Sequence, residues 1–335
     1  MLYLVFCLNL KKHTKMIVKI QRIFKKAYKE IVSKLSDNKG KRNKLLDSEA
    51  FESGHYYSVI PSLEDINNRS ESIYKTDKLS GLKININGQR QTLDELKKLH
   101  VENPFETTQL KRFKIENGSF SYDDAPVLHY MLRKIRPRQI IEIGSGNSSA
   151  VMLDTNEKYM NNSINEFTFI DIDLTLLRSN LLENDDLKIN MLEIPIQKVD
   201  LSIFEKLEAN DLLFIDSSHV SKIGSDLHTI MFEILPILKP GVYIHFHDIR
   251  FPFEYQKQLI NSKVFWNEAY LLRSFLMFND RFEIEFWLNC LLNFDNNTDY
   301  SKFEFLPLSG WDKLFNNGEG NYAGAGGSIY LRKTK

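Results

Sequence analysis

The stretch that decides the fold is residues 140–149, which read IIEIGSGNSS. An apolar run typical of a short buried strand enters a glycine turn, and the residues after the turn start a helix. Gly144 and Gly146 let the backbone bend sharply and let a ligand approach it. A dinucleotide-binding fingerprint places a third glycine where this sequence has Ser149. The stretch therefore predicts a strand–turn–helix ligand loop that departs from the usual dinucleotide pattern.

Strands and helices alternate around this loop. The alternation predicts an α/β fold of the doubly wound, Rossmann-like kind, with a mostly parallel sheet covered by helices on both faces. The predicted strands are 139–143, 167–172, 187–194, 211–215 and 242–247, and the predicted helices are 125–135, one starting at 148, 174–182, 201–207 and 225–238.

The charge is placed unevenly along a chain whose net charge is zero. Residues 1–46 hold 13 Lys/Arg and 2 Asp/Glu, whereas the remainder holds 31 and 42. Within the first segment, residues 17–35 show apolar residues at helical spacing among lysines. This pattern indicates an amphipathic helix that either lies on an anionic membrane surface or a partner, or packs on its own body. We therefore divide the chain into a basic arm at 1–46, a small α/β cap or lid at 47–115 and a main domain at 116–335.

The cap region carries two local signals. Asn87-Gly88, within 83–91, is typical of a tight hairpin turn. Thr92 and Glu95 have the spacing of a capping box, which predicts a short helix that opens at Thr92 and runs to His100.

The composition indicates where the protein works. Two cysteines, Cys7 and Cys290, form neither a disulfide framework nor a metal cluster, which favours a reducing cytoplasm. The apolar residues 1–9 are too few to span a bilayer and lack the features of a signal peptide. Met16 is an alternative start. We expect a cytoplasmic protein whose arm allows a peripheral membrane location.

Acidic residues follow the second predicted strand. Asp171 lies 27 residues after Gly144, near the end of that strand, where a carboxylate can accept hydrogen bonds from ribose hydroxyls. Asp173 is the alternative, but it precedes Leu174 and is better placed to cap the next helix.

Polar clusters follow the fourth and fifth strands. Asp216 and His219 end the fourth, and His247 and Asp248 end the fifth, so all four should face one crevice at the carboxyl edge of the sheet. A neutral histidine there can take the proton of an attacking hydroxyl; His219 is our first choice and His247 the second. Alternatively, Asp216 and Asp248 hold a divalent metal that binds the hydroxyl. In a third interpretation the acids cap loops and the histidines pack on aromatic rings.

Taken together, these motifs resemble class I S-adenosylmethionine-dependent methyltransferases over roughly residues 120–332. Residues 142–149 are similar to the family's first motif, FIDSSH at 214–219 to its fourth-strand motif, LKPGV at 238–242 to the turn before the fifth strand, and GGSIYL at 326–331 to the last strand. The resemblance implies a seven-stranded sheet with an antiparallel last strand, and S-adenosylmethionine as cofactor. The cofactor contacts that it implies are Glu142, Gly144, Gly146, Ser148, Asp171 and Asp216.

The acid and histidine cluster is similar to that of sugar and macrolide-sugar O-methyltransferases, some of which use Mg²⁺. That similarity implies Asp216 and Asp248 as ligands of Mg²⁺ or another divalent metal. His247 departs from the pattern, since it stands where a second acid is expected. An aromatic segment after the fifth strand includes Trp266, which either stacks on an acceptor or packs in the core.

The predicted function is methylation of a hydroxyl on a small molecule or a glycan sugar. Two alternatives are a hydroxylase-like enzyme of natural-product pathways on the same fold and a nucleic-acid methyltransferase that uses the basic arm. The sequence lacks an Asn/Asp-Pro-Pro-Tyr/Phe segment, and the charge outside the arm is acidic. We therefore expect a small-molecule or glycan acceptor and no specific nucleic acid. The oligomeric state stays open, a homo-oligomer included.

Overall fold

The computed structural model divides the chain into two compact units, 1–68 and 69–335. In the first unit, helix α1 spans Leu63–Asn68. The predicted amphipathic helix at 17–35 and the alternative start at Met16 lie outside the described residues. The structure describes residues 51–74, 79–100, 104–105, 110–120, 122–293, 300–306 and 326–335.

The second unit is built on one seven-stranded sheet in the order β3-β2-β1-β4-β5-β7-β6. Strands β1 to β5 pair in parallel, and β7 pairs antiparallel with both β5 and β6. The Rossmann-like architecture and the antiparallel last strand are thus confirmed. The strand bounds are β1 Gln139–Ile143, β2 Glu166–Asp171, β3 Asn190–Glu193, β4 Leu212–Ile215, β5 Tyr243–Phe246, β6 Phe282–Trp287 and β7 Ile329–Lys333.

Both faces of this sheet are buried, because successive side chains of a strand point to opposite sides. Ile140 and Phe214 belong to one apolar core, whereas Ile141 and Leu213 belong to the other. The longer helices cover these faces. Their bounds, with those of the shorter ones, are α2 Ser70–Ile73, α3 Ile86–Lys98, α4 Asp124–Ile135, α5 Asn147–Tyr159, α6 Thr175–Asn180 and α7 Ser202–Glu205.

Helix α8 follows β4 and is not uniform. It begins as Asp226–Thr229, widens into a π-helical turn at Ile230–Ile234 and ends as Leu235–Ile237. Pro236 carries no N–H, so it cannot continue the regular hydrogen-bond ladder. The carbonyls of Leu235 and Pro236 lie at the end of the helix, beyond the reach of intrahelical donors, and they accept hydrogen bonds from the buried Lys333 of β7. The last strand therefore satisfies the end of a helix that covers the sheet.

Three helices flank the last part of the sheet: α9 at Lys257–Asn261, α10 at Glu268–Leu276 and α11 at Leu288–Asn293. Helix α10 packs in the same core as α8. In the part of the chain that the structure describes, no helix is both long and apolar enough to cross a membrane.

The predicted hairpin at 83–91 is wrong, and the helix predicted from Thr92 to His100 starts too late, although residues 92–98 are helical as expected. Helix α3 already begins at Ile86, and Asn85, in the left-handed conformation, caps it by accepting a hydrogen bond from the Gly88 N–H. An Asx cap uses the same residue types as a hairpin turn, which explains the error. Thr92 lies in mid-helix, buried against Glu285 of β6.

Candidate active site

The glycine turn between β1 and α5 is held by two neighbouring strands. Gly144 has φ +84°, and its N–H donates to Ile170 O of β2 at 2.9 Å. A Cβ atom there would lie 1.9 Å from the carbonyl oxygen of Asp216, which follows β4. Only glycine fits, because the position needs both the left-handed backbone and the close approach. The turn thus brings the ends of β1, β2 and β4 together.

Glu142, on β1, stabilises this turn through hydrogen bonds to the start of α5. Its carboxylate is fully buried and accepts hydrogen bonds from the hydroxyls of Ser148 and Ser149. Ser149 in turn accepts from the Gly146 N–H at 2.9 Å. Burial raises the pKa of Glu142 to about 8, although the two serine hydroxyls oppose the shift. Glu142 does not line the crevice, so its place indicates support of the loop, whereas Ser148 reaches the crevice wall.

Asp171 ends β2 and faces the crevice. Its carboxylate accepts hydrogen bonds from the N–H groups of Ser145, at 2.9 Å, and Asp173, at 3.1 Å. Asp173 is exposed and accepts from the Thr175 N–H at 2.9 Å, at the start of α6. The two acids therefore have the two different positions that the sequence suggested, one at the crevice and one at a helix end.

Two adjoining cavities occupy the crevice at the point where the strand order reverses between β1 and β4, which is where open α/β sheets bind ligands. They share Gly144, Asp171 and Asp216. The first, about 460 Å³, extends past apolar side chains such as Ile172 and Ile194. The second, about 480 Å³, has walls of mixed aromatic and charged character. Those walls include Phe120, Ser148, His247, Asp248, Arg250 and Trp266.

His219 lies among three carboxylates beside the second cavity. Its Nε2 is 3.2 Å from Asp216 Oδ1 and 3.7 Å from Asp248 Oδ2, and its Nδ1 is 2.7 Å from Glu268 Oε2. Burial lowers the pKa of His219, but the hydrogen bonds to Asp216 and Glu268 outweigh it and raise the pKa to about 10. The acids around His219 therefore favour its protonated form.

The two histidines of β5 and its end differ in environment. His245 is fully buried, stacks on Phe214 and contacts Ser328 Oγ at 2.9 Å, so it packs in the core. His247 lines the second cavity, and its Nε2 lies 4.0 Å from Asp248 Oδ1. Burial lowers the pKa of His247, but Asp248, Asp216 and Asp124 together raise it above its ordinary value. Of the two, only His247 can meet a ligand in this cavity.

The segment just before β7 packs against Asp248, on the side of that residue away from the cavity. The Ile249 N–H donates to Gly327 O at 2.8 Å, and a Cβ on Gly327 would lie 2.7 Å from Asp248 Cα. Asp248 itself has φ +56°. This close contact with Gly327, just before β7, therefore helps to fix the backbone that presents Asp248 to the cavity.

Sequence reasoning missed Glu268. It begins α10, 49 residues after His219, and no spacing links the two. An acid in the first turn of a helix is ordinary because it interacts favourably with the helix dipole. Only the tertiary fold shows that this carboxylate contacts an active-site histidine.

The predicted metal ligands, Asp216 and Asp248, do line the same cavity. Two carboxylates suit Mg²⁺, which keeps several waters and takes few protein ligands. No group of three or more His, Cys, Asp or Glu side chains that could hold a metal ion occurs within the described ranges. Two carboxylates as donors suit Mg²⁺ better than a transition metal, and a metal held by Asp216 and Asp248 stays a prediction.

Comparison with known proteins agrees with this geometry. A family model described as a methyltransferase domain matches residues 141–249, from β1 to just beyond β5. An uncharacterized protein of Archaeoglobus fulgidus is 30% identical over 168 residues, which are 48% of this chain and 75% of that protein. With the strand order and the glycine turn, these matches show that the chain belongs to the class I S-adenosylmethionine-dependent methyltransferase family. It is accordingly a methyltransferase.

Two solved structures are among those that match the chain. The methyltransferase PaMTH1 of Podospora anserina, bound to S-adenosylhomocysteine, is 12% identical, with 83% of this chain and 99% of that chain covered and a TM-score of 0.38. CmcI-D160 with Mg and S-adenosylmethionine is 19% identical, with 64% and 73% covered and a TM-score of 0.36.

Proposed function

We propose that the protein transfers a methyl group from S-adenosylmethionine to a hydroxyl of a small molecule or a glycan sugar. The observation that supports this proposal is the pair of adjoining cavities that meet at Gly144, Asp171 and Asp216. One offers apolar walls for a base and a carboxylate for a ribose. The other offers acids, a histidine and aromatic rings beside the same glycine turn, which is where an acceptor would have to lie.

The cofactor end of the crevice uses the residues around the turn. Asp171 would accept hydrogen bonds from the ribose hydroxyls, and the backbone at Gly144 and Gly146 would hold the methionine part. Ile172 and Ile194, which line the first cavity, would supply apolar contact for the adenine ring. A flat base between aliphatic side chains gains from the removal of apolar surface from water.

The acceptor end needs a group that takes the hydroxyl proton during attack. His219 serves as that base, with Nε2 directed at the two aspartates of the cavity wall. Its proton leaves more readily when a positive sulfonium lies in the same crevice, because a like charge lowers the pKa of a cation. His247 is the alternative base. Trp266 and Phe120 offer the aromatic faces on which sugar rings stack.

If the enzyme uses Mg²⁺, Asp216 and Asp248 are the residues that would hold it. The ion would supply Lewis-acid chemistry that lowers the pKa of a bound hydroxyl. Without it, the same aspartates keep His219 in place and orient the acceptor through hydrogen bonds.

Calorimetric titration with S-adenosylmethionine and S-adenosylhomocysteine, with and without Mg²⁺, tests the cofactor. We expect saturable binding to the wild type, a loss of at least tenfold in affinity for Asp171→Ala, and little change for the control Asp173→Ala. Equal losses in both variants, or no binding by folded wild type, would contradict the proposal. Transfer of a labelled methyl group to a panel of sugars and phenols then tests the acceptor class, with His219→Gln and His247→Gln to separate the two bases.

A further inference from the structure

We infer that Glu268 is a positioning residue, one that fixes the imidazole of His219 for proton transfer. The inference rests on the proposed function in so far as His219 is the base, and it concerns a residue beyond the 141–249 segment that matches the family model. Glu268 is 1% exposed and uses both carboxylate oxygens. Oε2 contacts His219 Nδ1 at 2.7 Å, and Oε1 accepts from Ser217 Oγ at 3.0 Å.

The contact settles which nitrogen faces the cavity wall. Because Nδ1 faces Glu268, Nε2 is left to face Asp216 and Asp248. A carboxylate at Nδ1 keeps a proton on that nitrogen, so the lone pair of the neutral ring lies on Nε2. Without Glu268, the ring could present either nitrogen.

The backbone around His219 is tied to the same helix. The carbonyl oxygen of His219 accepts from the N–H groups of Asn267, at 3.0 Å, and Glu268, at 3.2 Å. The ring of Trp266 packs on the imidazole, with centroids 4.3 Å apart. His219 also has φ +60°, an uncommon conformation for a residue other than glycine, which persists only where its surroundings determine it. The start of α10 therefore holds both the backbone and the ring of His219.

A merely structural explanation is available, since an acid in the first turn favours a helix. The helix dipole would stabilise an exposed carboxylate at this position equally well, so it does not explain the burial of Glu268. Burying a carboxylate costs free energy unless the carboxylate is paired. The full burial of Glu268 and its short contact with Nδ1 point to His219 as the reason for its place.

Ring NMR on the full-length protein labelled with ¹⁵N-histidine tests the inference directly, and it needs no acceptor. In the wild type we expect one hydrogen-bonded, slowly exchanging Nδ1 proton far downfield, which disappears in His219→Gln. Glu268→Gln should lose or clearly shift this signal, because an amide is a weaker acceptor and can also donate. Glu254→Gln is the control for the loss of a carboxylate that contacts α10: Glu254 accepts from Tyr270 of that helix at 2.8 Å, and its variant should keep the signal.

The S-adenosylmethionine affinity of the same samples shows whether Glu268→Gln alters only the histidine ring or the whole site. An affinity of Glu268→Gln within about threefold of the wild type, together with the lost proton signal, supports the inference. Persistence of the signal in Glu268→Gln, or its absence from the wild type, overturns it. If Glu268→Gln does not fold, the wild type and His219→Gln still decide whether Nδ1 carries the hydrogen-bonded proton. A wild type that binds no cofactor refutes the proposed function without altering the ring assignment.

Discussion

At the scale of single residues, the glycine turn makes the sharpest prediction. Gly144→Ala must accommodate both φ +84° and a Cβ 1.9 Å from Asp216 O, so the turn has to move. We expect a loss of at least tenfold in S-adenosylmethionine affinity and a destabilisation of more than ~1 kcal/mol. Gly118→Ala, with φ +78° and open space around the Cβ, isolates the backbone strain and should be milder. Calorimetry and urea unfolding of both variants check this, and equal effects would contradict it.

The buried acid beneath the turn predicts a pH dependence. The pKa of Glu142 is raised to about 8 from 4.5 by burial, so the folded chain holds this proton more tightly than the unfolded chain does. That contribution to stability is complete below pH 4.5 and is lost as the pH rises through about 8. Glu142→Gln, which does not titrate, should lose less stability between pH 5 and 8. Urea unfolding of both proteins at several pH values measures the difference. Parallel plots of unfolding free energy against pH would contradict a contribution from the Glu142 proton.

Strand ends at one edge of a parallel sheet have to meet, and this rule predicts from the sequence which candidate residues lie together. Gly144, Asp171 and Asp216 follow from that rule alone. Glu268 does not, since it reaches His219 from a later helix through tertiary packing. Glu142 was expected to touch the cofactor, and its burial under the turn could not be read from a motif.

At the scale of elements, the end of α8 depends on one buried lysine. Lys333→Met removes the donor to the carbonyls of Leu235 and Pro236 while it keeps the aliphatic stem. We expect a destabilisation of about 1–2 kcal/mol in urea unfolding, the usual cost of leaving a buried acceptor without its partner. Lys335→Met is the control, because Lys335 is exposed and pairs with Asp280. Comparable losses in the two variants would argue against a role for the buried contacts.

Helices and strands were predictable where the sequence pattern is compatible with only one kind of secondary structure. The five strands from β1 to β5 were placed within one residue at each end, except that the predicted start of β3 is three residues too early. The hairpin failed because Asn-Gly fits an Asx helix cap as well as a turn. Strand β6 was expected from the family sheet but was not located, although Phe282, Ile284 and Phe286 alternate with acids as in a half-buried strand.

At the scale of the whole molecule, Arg112 joins distant segments. Its guanidinium is buried and pairs with Asp154 of α5 and with Asp185, which lies between α6 and β3. Arg112→Met leaves two buried carboxylates without their cation, so we expect a loss of about 3–5 kcal/mol. Lys111→Met, its exposed neighbour, should cost less than about 1 kcal/mol. Thermal and urea unfolding distinguish the two, and a small effect at Arg112 would contradict the expectation.

The place of β7 in the sheet has a consequence for how the protein is made. The ribosome synthesises β6 some forty residues before β7, yet β7 must lie between β5 and β6. At ~5–20 residues per second, the nascent chain spends about two to eight seconds with the edge of β5 open and β6 without a neighbour. Open strand edges pair readily with other chains. The half of the sheet that builds the glycine turn is complete before that interval begins, so nascent chains are most exposed to aggregation, and most in need of a chaperone, at the other half.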